Sequence, residues 1–412
     1  MQPFQNPFRP GAGQPPPFLA GRKAEANEFK KLLEQRPILK NLIVTGLRGV
    51  GKTVLLDEFK TIAITNKWFW AGTDLSESAS ISEQNLSIRI LTDLSTLVSS
   101  FTISEEEKRS IGFNSPVEKI ESKLTYATLY SIYNATPGLE ADKLKYVLEF
   151  IWTVVKDKVN GIVLAYDEAQ VLKDKAEDKQ YPLSLLLEVI SFIQRKQIPY
   201  LLVLTGLPTL VATLSETRTY SERMFQIMTL NKLSDEETKE AINVPIQEKN
   251  CPVSFTPAGI QEIIRHSAGY PYFIQFFCKE TFDSVLQQIN AGIEVPDVRI
   301  ADFVRKLDAD FYANRWSRVT DRQRDLLIVI AKLDSANEEF TTKEIVQMSN
   351  KLLDNPFSPA YVVNSLVKLT NIGLIFKNRR GKYSFAVPLI ADYINRNNND
   401  AQLTSVWDLH DF

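Results

Sequence analysis

Four uninterrupted apolar runs of strand length punctuate the first half of the chain. They are Leu42-Ile43-Val44-Thr45, Trp68-Phe69-Trp70-Ala71, Ile162-Val163-Leu164-Ala165-Tyr166 and Tyr200-Leu201-Leu202-Val203-Leu204. None alternates with polar residues, which predicts strands covered on both faces, as in a parallel sheet. Between them the apolar spacing becomes helical. Phe29, Leu32 and Leu33 share one face of a helix over about 24–33, and Val54 to Lys60 continues with helical spacing after the first strand. The region from about 83 to 158 reads as largely helical, with one stripe of Ile88, Leu91, Leu94, Leu97 and Val98 and another of Leu144, Val147, Leu148, Ile151 and Val155. Leu186, Leu187, Ile190 and Ile193 mark the inner face of a helix from Leu183 to Lys196. Strands alternating with helices predict an α/β fold around a parallel sheet over residues 18–232, with 83–158 longer than a crossover needs.

The texture changes at Leu233. Ser234 followed by Glu237 opens a helix with a capping box, and helical patterns continue over Gly259–His266, Tyr272–Gln288 and Val298–Phe311 with no strand between them. This predicts a helical segment over 233–314. Thr320 to Gln323 caps a further helix that buries Leu326, Leu327 and Ile330. Phe340 to Val346 follows, then a helix from Ser358 carrying Val362, Val363, Leu366, Val367 and Leu369. Gly373 to Phe385 reads as a hairpin turning at Arg380-Gly381. Three helices and a hairpin over 318–396 are the plan of a winged helix. The segment 1–17, rich in proline and glycine, is expected to be extended without a core of its own, and the polar tail 397–412 to lie outside the packed domains.

The chemistry sits where the first strand ends. Gly46-Leu47-Arg48-Gly49-Val50-Gly51-Lys52-Thr53 is the P-loop pattern G-x-x-x-x-G-K-[ST], between an apolar strand and the helix that starts near Val54. The three glycines let backbone N–H groups, including those of Leu47, Arg48, Val50 and Val54, close around phosphate oxygens at a helix N-terminus. Lys52 is placed to reach the β- and γ-phosphates and the Thr53 hydroxyl to ligate Mg²⁺. The third strand ends in Asp167-Glu168, at the edge where open α/β sheets place ligands. Asp167 would complete the Mg²⁺ site with Thr53. ATP and Mg²⁺ are the expected cofactors.

Asn6-Pro7-Phe8-Arg9-Pro10-Gly11-Ala12-Gly13 and Phe18-Leu19-Ala20-Gly21-Arg22-Lys23-Ala24-Glu25 resemble the N-terminal box of AAA+ and STAND-type ATPases, in the branch similar to the origin-recognition ATPases. The resemblance covers almost the whole chain. It implies that Phe18, Leu19 and Arg22 line the adenine pocket. It makes Glu168 the group that polarises the attacking water, Thr205 a sensor of the γ-phosphate, and the 233–314 segment a lid. Within Thr217 to Phe225 it points to an arginine finger delivered by a neighbouring copy in a nucleotide-dependent homo-oligomer, with Arg223 favoured over Arg218. The chain departs from the family in the lid, where Ala268-Gly269-Tyr270-Pro271-Tyr272-Phe273-Ile274-Gln275 lacks the second sensor arginine and is closer to the Gly-x-Pro form of STAND-type members. That departure favours a switch-type ATPase, slow and stimulated by a partner.

Charge decides little globally and something locally. The chain of 412 residues has a net charge of −2, with 44% apolar and 24% charged residues, the balance of a folded chain with no general attraction to nucleic acid. Residues 318–396 nevertheless carry about four net positive charges, and Lys377, Arg379, Arg380 and Lys382 cluster at the hairpin, where they could meet the phosphates of double-stranded DNA. The helix Ser358 to Thr370 offers only Lys368 as a cation. Two readings therefore stand side by side. One is a DNA-associated regulator or loader. The other is a STAND-like signalling or scaffold ATPase that senses a protein partner through 83–158, with the winged helix packed internally. Cys251 and Cys278 form no C-x-x-C pair and His266 and His410 are far apart, so a reducing cytoplasm is expected and a histidine-rich metal site is not. No apolar run approaches the ~18 residues of a bilayer span, and no signal pattern opens the chain. There is no second catalytic constellation.

Overall fold

The computed structural model describes residues 4–11, 13–99, 102–108, 118–217, 221–247, 251–294, 298–379 and 381–398, with backbone alone over 102–108 and 118–123 and at Arg379. It forms two compact units, one of Arg22–Thr45 and Lys52–Thr229, the other of Met1–Gly21, Gly46–Gly51 and Leu230–Phe412.

The first unit runs α1 (Lys23–Leu33), β1 (Asn41–Thr45), α2 (Lys52–Thr65), β2 (Trp68–Ala71), α3 (Glu83–Val98), β3 (Thr102–Lys108), β4 (Glu118–Lys123), α4 (Tyr126–Ala135), α5 (Glu140–Val155), β5 (Gly161–Tyr166), α6 (Pro182–Arg195), β6 (Tyr200–Gly206), α7 (Thr209–Thr217), α8 (Ser221–Met224) and β7 (Phe225–Thr229). Five strands pair in the order β2-β5-β6-β1-β7, all parallel. The four apolar runs supply the first four, and β1, β5 and β6 are buried along their whole length, as an inner parallel strand requires. Asn41 sets the start of β1 against β6: its Oδ1 accepts from Leu202 N–H at 2.9 Å and from Gln194 Nε2 at 2.8 Å. Phe29 stacks on Phe59 at 4.3 Å and locks α1 to α2.

Three features differ from expectation. The edge strand β7 is new. Phe225 and Met228 are buried while Ile227 is 50% exposed, so this strand has no continuous apolar run by which to be recognised. The 83–158 region is not all helix, because β3 and β4 form an antiparallel hairpin between α3 and α4. Its Glu- and Lys-rich strands favour helix by intrinsic propensity, and long-range pairing overrides that weak preference. The register sets Glu107 opposite Lys119 and Lys108 opposite Glu118. Finally, the buried face of α3 is Leu86, Ile90, Leu91, Leu94 and Val98, with Ile88 and Leu97 only half-buried.

The second unit contains α9 (Asp235–Asn243), α10 (Pro257–Ser267), α11 (Pro271–Asn290), α12 (Ile300–Leu307), α13 (Ala313–Trp316), α14 (Asp321–Ala331), β8 (Phe340–Thr341), α15 (Thr342–Leu352), α16 (Pro359–Asn371), β9 (Ile375–Arg379), β10 (Lys382–Phe385) and α17 (Ile390–Asn397). Capping boxes at Ser234/Glu237, Thr320/Gln323 and Thr341/Glu344 start α9, α14 and α15. The three short strands form an antiparallel sheet in the order β8-β10-β9, with β9 and β10 joined through the turn at Gly381. One apolar core runs from Ile242 and Phe277 through Tyr312 to Leu326, Leu366 and Ile394. A π-helical turn, Asp308–Tyr312, links α12 to α13, and Tyr312 ties it down by donating to Pro388 O at 3.0 Å and stacking on Tyr393. Cys278 is buried in this core, where loss of solvation pushes its thiol well above the usual range.

The proline-rich N-terminal segment borrows this core. Phe8 is 2% exposed between the rings of Phe255 and Phe282. Asn6 Nδ2 donates to Lys279 O at 3.0 Å and Arg9 N–H to Gln275 Oε1 at 3.2 Å, so the arm is fastened along α11. Phe8→Ala is expected to cost about 3–5 kcal/mol through the cavity it leaves. Chemical denaturation monitored by tryptophan fluorescence checks it, and an unchanged midpoint would show that the arm contributes no anchoring.

Candidate nucleotide site

The loop after β1 has the backbone that the motif requires. Gly49 and Gly51 have φ of +75° and +94°, a region that side chains bearing a Cβ rarely enter. In the second unit, Gly49 O accepts from Tyr272 N–H at 3.3 Å, so the Gly269-Tyr270-Pro271-Tyr272 stretch at the start of α11 meets the loop backbone. Leu47 is half-buried, Arg48 exposed and Val50 buried. Lys52, only 9% exposed, begins the 14-residue helix α2, followed by half-buried Thr53 and Val54.

In the first unit, folding brings together two residues 114 positions apart. Thr53 Oγ1 donates to Asp167 Oδ2 at 2.5 Å. The other oxygen, Oδ1, accepts from the Glu168 N–H at 2.8 Å, so the Asp167 carboxylate is fixed at both ends. Glu168 adopts the left-handed conformation, φ +51°, with its side chain exposed. Gln170, which sequence reading passed over, bridges this acid to the next strand. Its Nε2 donates to Glu168 Oε2 and its Oε1 accepts from Leu207 N–H at 3.0 Å.

Two buried hydroxyls at the same edge of the sheet lack a partner. Thr205 is fully buried at the end of β6 and Thr45 is 4% exposed at the end of β1, and neither Oγ1 makes a hydrogen bond. The strands are adjacent, with Val44 opposite Thr205 and Thr45 opposite Gly206. An orphaned buried hydroxyl costs about 1–3 kcal/mol and marks the place of a water or ligand. The residues present fit a phosphate–metal group at this edge.

Asp74 is a further acid that sequence reading missed. It pairs with Asp167 across a parallel bridge in which Leu75 N–H donates to Asp167 O at 3.0 Å. Burial first, and then the charges of Asp167, Glu168 and Asp57, raise its carboxyl above the usual range. Its signal was present, since Asp74 follows an apolar strand just as Asp167 does. Such a concentration of carboxylates suits a hard divalent cation. Among the described residues, no group of three or more His, Cys, Asp or Glu forms a metal cage of its own.

The other expected residues fall elsewhere. Phe18 is half-buried on the core of the second unit, and Leu19 is half-buried beside buried Ala20. Arg22, 7% exposed in the first unit, pairs with Glu25 at 3.2 Å. Arg223 is exposed on α8, and Phe225 pairs with Asn41, which puts Arg223 at the end of the sheet opposite to Thr45. Arg218 and Arg380 lie outside the described residues. Lys377 is exposed on β9, Lys382 half-buried on β10, and the backbone of Arg379 pairs with Lys382.

A family model described as a domain of unknown function (DUF8462) matches residues 309–394. No curated protein matches the chain. Among solved structures, the Walker-type ATPase paby2304 of Pyrococcus abyssi is 16% identical, with a TM-score of 0.58 over 91% of this chain and 96% of that one. The ORC2 protein of Aeropyrum pernix in its ADP form is 13% identical, with a TM-score of 0.57 over 96% of this chain and 98% of that one. The same protein with ADPNP and ADP gives 13% and 0.54 over 94% and 95%. The chain shares their fold. The expected α/β P-loop architecture, and the resemblance to the origin-recognition branch, hold at that level over nearly the full length. Among the described residues, no helix is long and apolar enough to cross a membrane.

Proposed function

We propose that this protein binds ATP and hydrolyses it slowly with Mg²⁺, and works as a conformational switch. The observation that supports this reading is the 2.5 Å hydrogen bond from the Thr53 hydroxyl to the Asp167 carboxylate, the two groups expected to hold Mg²⁺. Residues Gly46 to Val54 hold the phosphates, and Lys52 meets the β- and γ-phosphate oxygens. Bound Mg²⁺ supplies charge neutralisation at those oxygens. Glu168 takes the proton of the attacking water, while Gln170 positions its carboxylate. Thr205 donates its partnerless hydroxyl to the γ-phosphate or to that water. The resemblance of the N-terminal box supports a base-binding role for Phe18, Leu19 and Arg22. A finger role for Arg223 requires a neighbouring copy in a nucleotide-dependent homo-oligomer, since Arg223 lies beside the start of β1 while Thr45 ends that strand.

For the output, the order α14-β8-α15-α16-β9-β10 supports reading 318–396 as a winged helix, with Lys377, Arg379, Arg380 and Lys382 on duplex DNA phosphates. A specific observation favours a protein partner as the second reading. The outer face of α16 exposes Val363 and Val367 by 42% and 52%, with Lys368 as its one cation. The test is ATP turnover with and without Mg²⁺ and duplex DNA, in wild type and in a Lys377→Glu/Lys382→Glu variant. Mg²⁺-dependent turnover supports the ATPase, and its absence under all conditions rejects it. DNA association requires weaker duplex binding in the variant and a salt slope shallower by about two phosphate contacts. Equal binding by both proteins would move the output to a protein partner.

A further inference from the structure

We propose that Arg48, Arg315 and Arg318 form a phosphate-group site beside the backbone amides of the Gly46–Gly51 loop. All three line one cavity of about 210 Å³ in the second unit, together with Asp310, Phe311 and the backbone around Gly373. Its charge is unbalanced, with three guanidinium groups facing a single carboxylate. Among the described residues, none of the three pairs with an acid, whereas Arg324 and Arg396 of the same unit have carboxylate partners at 3.0 and 2.5 Å, and Arg305 has Asp302.

The cluster is built rather than incidental. Arg315 lies 4.2 Å from the centre of the Phe311 ring and donates to Phe311 O, which holds its fork in place. Phe311 packs on Tyr272 at 5.2 Å, and Tyr272 N–H is the donor to Gly49 O. Arg48 rests on the turn that ends α16, with Nη2 only 3.4 Å from where a Cβ on Gly373 would sit. Gly373 has φ +71°, a backbone conformation that strains residues bearing a Cβ. Burial lowers the Arg315 pKa, and the charges of Arg48 and then Arg318 lower it further, so the three cations repel one another across the cavity. A doubly charged tetrahedral oxyanion offsets the two uncompensated charges and accepts forked hydrogen bonds from guanidinium groups.

The phosphate group has two sources. One is the terminal phosphate of a nucleotide on the P-loop, to which Arg48 itself belongs; this source rests on the ATPase reading. The other is free inorganic phosphate, which does not. In either case an occupied site joins the loop of Gly46–Gly51 to residues 310–318 and 372–374, inside the region of the family of unknown function.

The test uses the full chain. Inorganic phosphate is titrated by calorimetry into a Lys52→Ala protein, which weakens the P-loop cradle, and into the same protein with Arg315→Gln/Arg318→Gln. ATP and ADP affinities are then compared with and without those two substitutions in a protein retaining Lys52. A loss of phosphate affinity of tenfold or more supports the site with free phosphate as its ligand. No phosphate binding, but an ATP-to-ADP affinity ratio lowered tenfold or more, supports it with the attached phosphate. If neither quantity changes, the proposal falls. Arg305→Gln, set against Arg318→Gln alone, removes one charge outside the cavity and should match its parent; an equal loss there would reduce the effect to net charge and overturn the site. Melting curves show whether each variant is folded, and Arg318→Gln alone, at an exposed position, keeps the test available if the double variant is not. Arginine-dependent phosphate binding by a protein that binds no nucleotide would uphold the site while rejecting the ATPase.

Discussion

Lys52→Ala is expected to lower ATP affinity at least about 100-fold while leaving the fold intact. Lys52 begins α2 and is 9% exposed, so its ammonium meets phosphate in a poorly solvated place where charge-assisted bonds are strong. Each such bond contributes about 1.5–3 kcal/mol. Two bonds to phosphate oxygens account for the loss, since ~1.4 kcal/mol is tenfold in affinity. Alanine is the strongest helix former, so the start of α2 tolerates the change. Titration with a fluorescent ATP analogue, alongside circular dichroism, checks both parts. An affinity within threefold of wild type in a folded variant would mean that this loop is not where phosphate binds.

Glu168→Gln should cut turnover by about 10²–10⁴-fold, the range for removing a general base, with ATP affinity changed only a few-fold. The substitution keeps size and removes the basic oxygen. Its amide oxygen can still accept from Gln170 Nε2, and Asp167 keeps its bonds to Thr53 and to the residue 168 N–H. Ground-state binding is thus spared while the proton acceptor is lost. The φ of +51° at Glu168 sits where residues other than glycine are held at a cost of order 1–3 kcal/mol, as at functional sites where the surrounding contacts over-determine the backbone. Single-turnover phosphate release separates chemistry from product loss. A variant with full single-turnover activity would remove Glu168 from the chemical step.

Much of the core was legible, and the loop and acids of the candidate site could be singled out, because their signals are local. An inner parallel strand must be apolar throughout, so β1, β5 and β6 show as unbroken runs. A glycine-rich turn between strand and helix is written in eight adjacent residues. The helix starts at Ser234 and Thr320 follow from a side chain bonding an N–H three residues on. Asp167 and Glu168 were singled out because they end a buried apolar strand, and folding sets Asp167 against Thr53.

What the tertiary structure alone decided depends on partners distant in the chain. The edge strand β7 needs β1 beside it, and its half-exposed face erases the apolar run. The β3–β4 hairpin overrides the helical preference of its glutamates and lysines through a ladder that no single strand contains. Phe8 sits in a segment too short and polar for a core, and is buried only because Phe255 and Phe282 are more than 240 positions away in sequence but adjacent in space. Gln170 and Asp74 acquire their places from the neighbouring strands. The convergence of Arg48 with Arg315 and Arg318 is the extreme case, since each looks like an ordinary surface arginine until the fold closes a cavity around them. Periodicity along a chain reports how each element is covered; only packing decides which elements cover it, and so which charges meet.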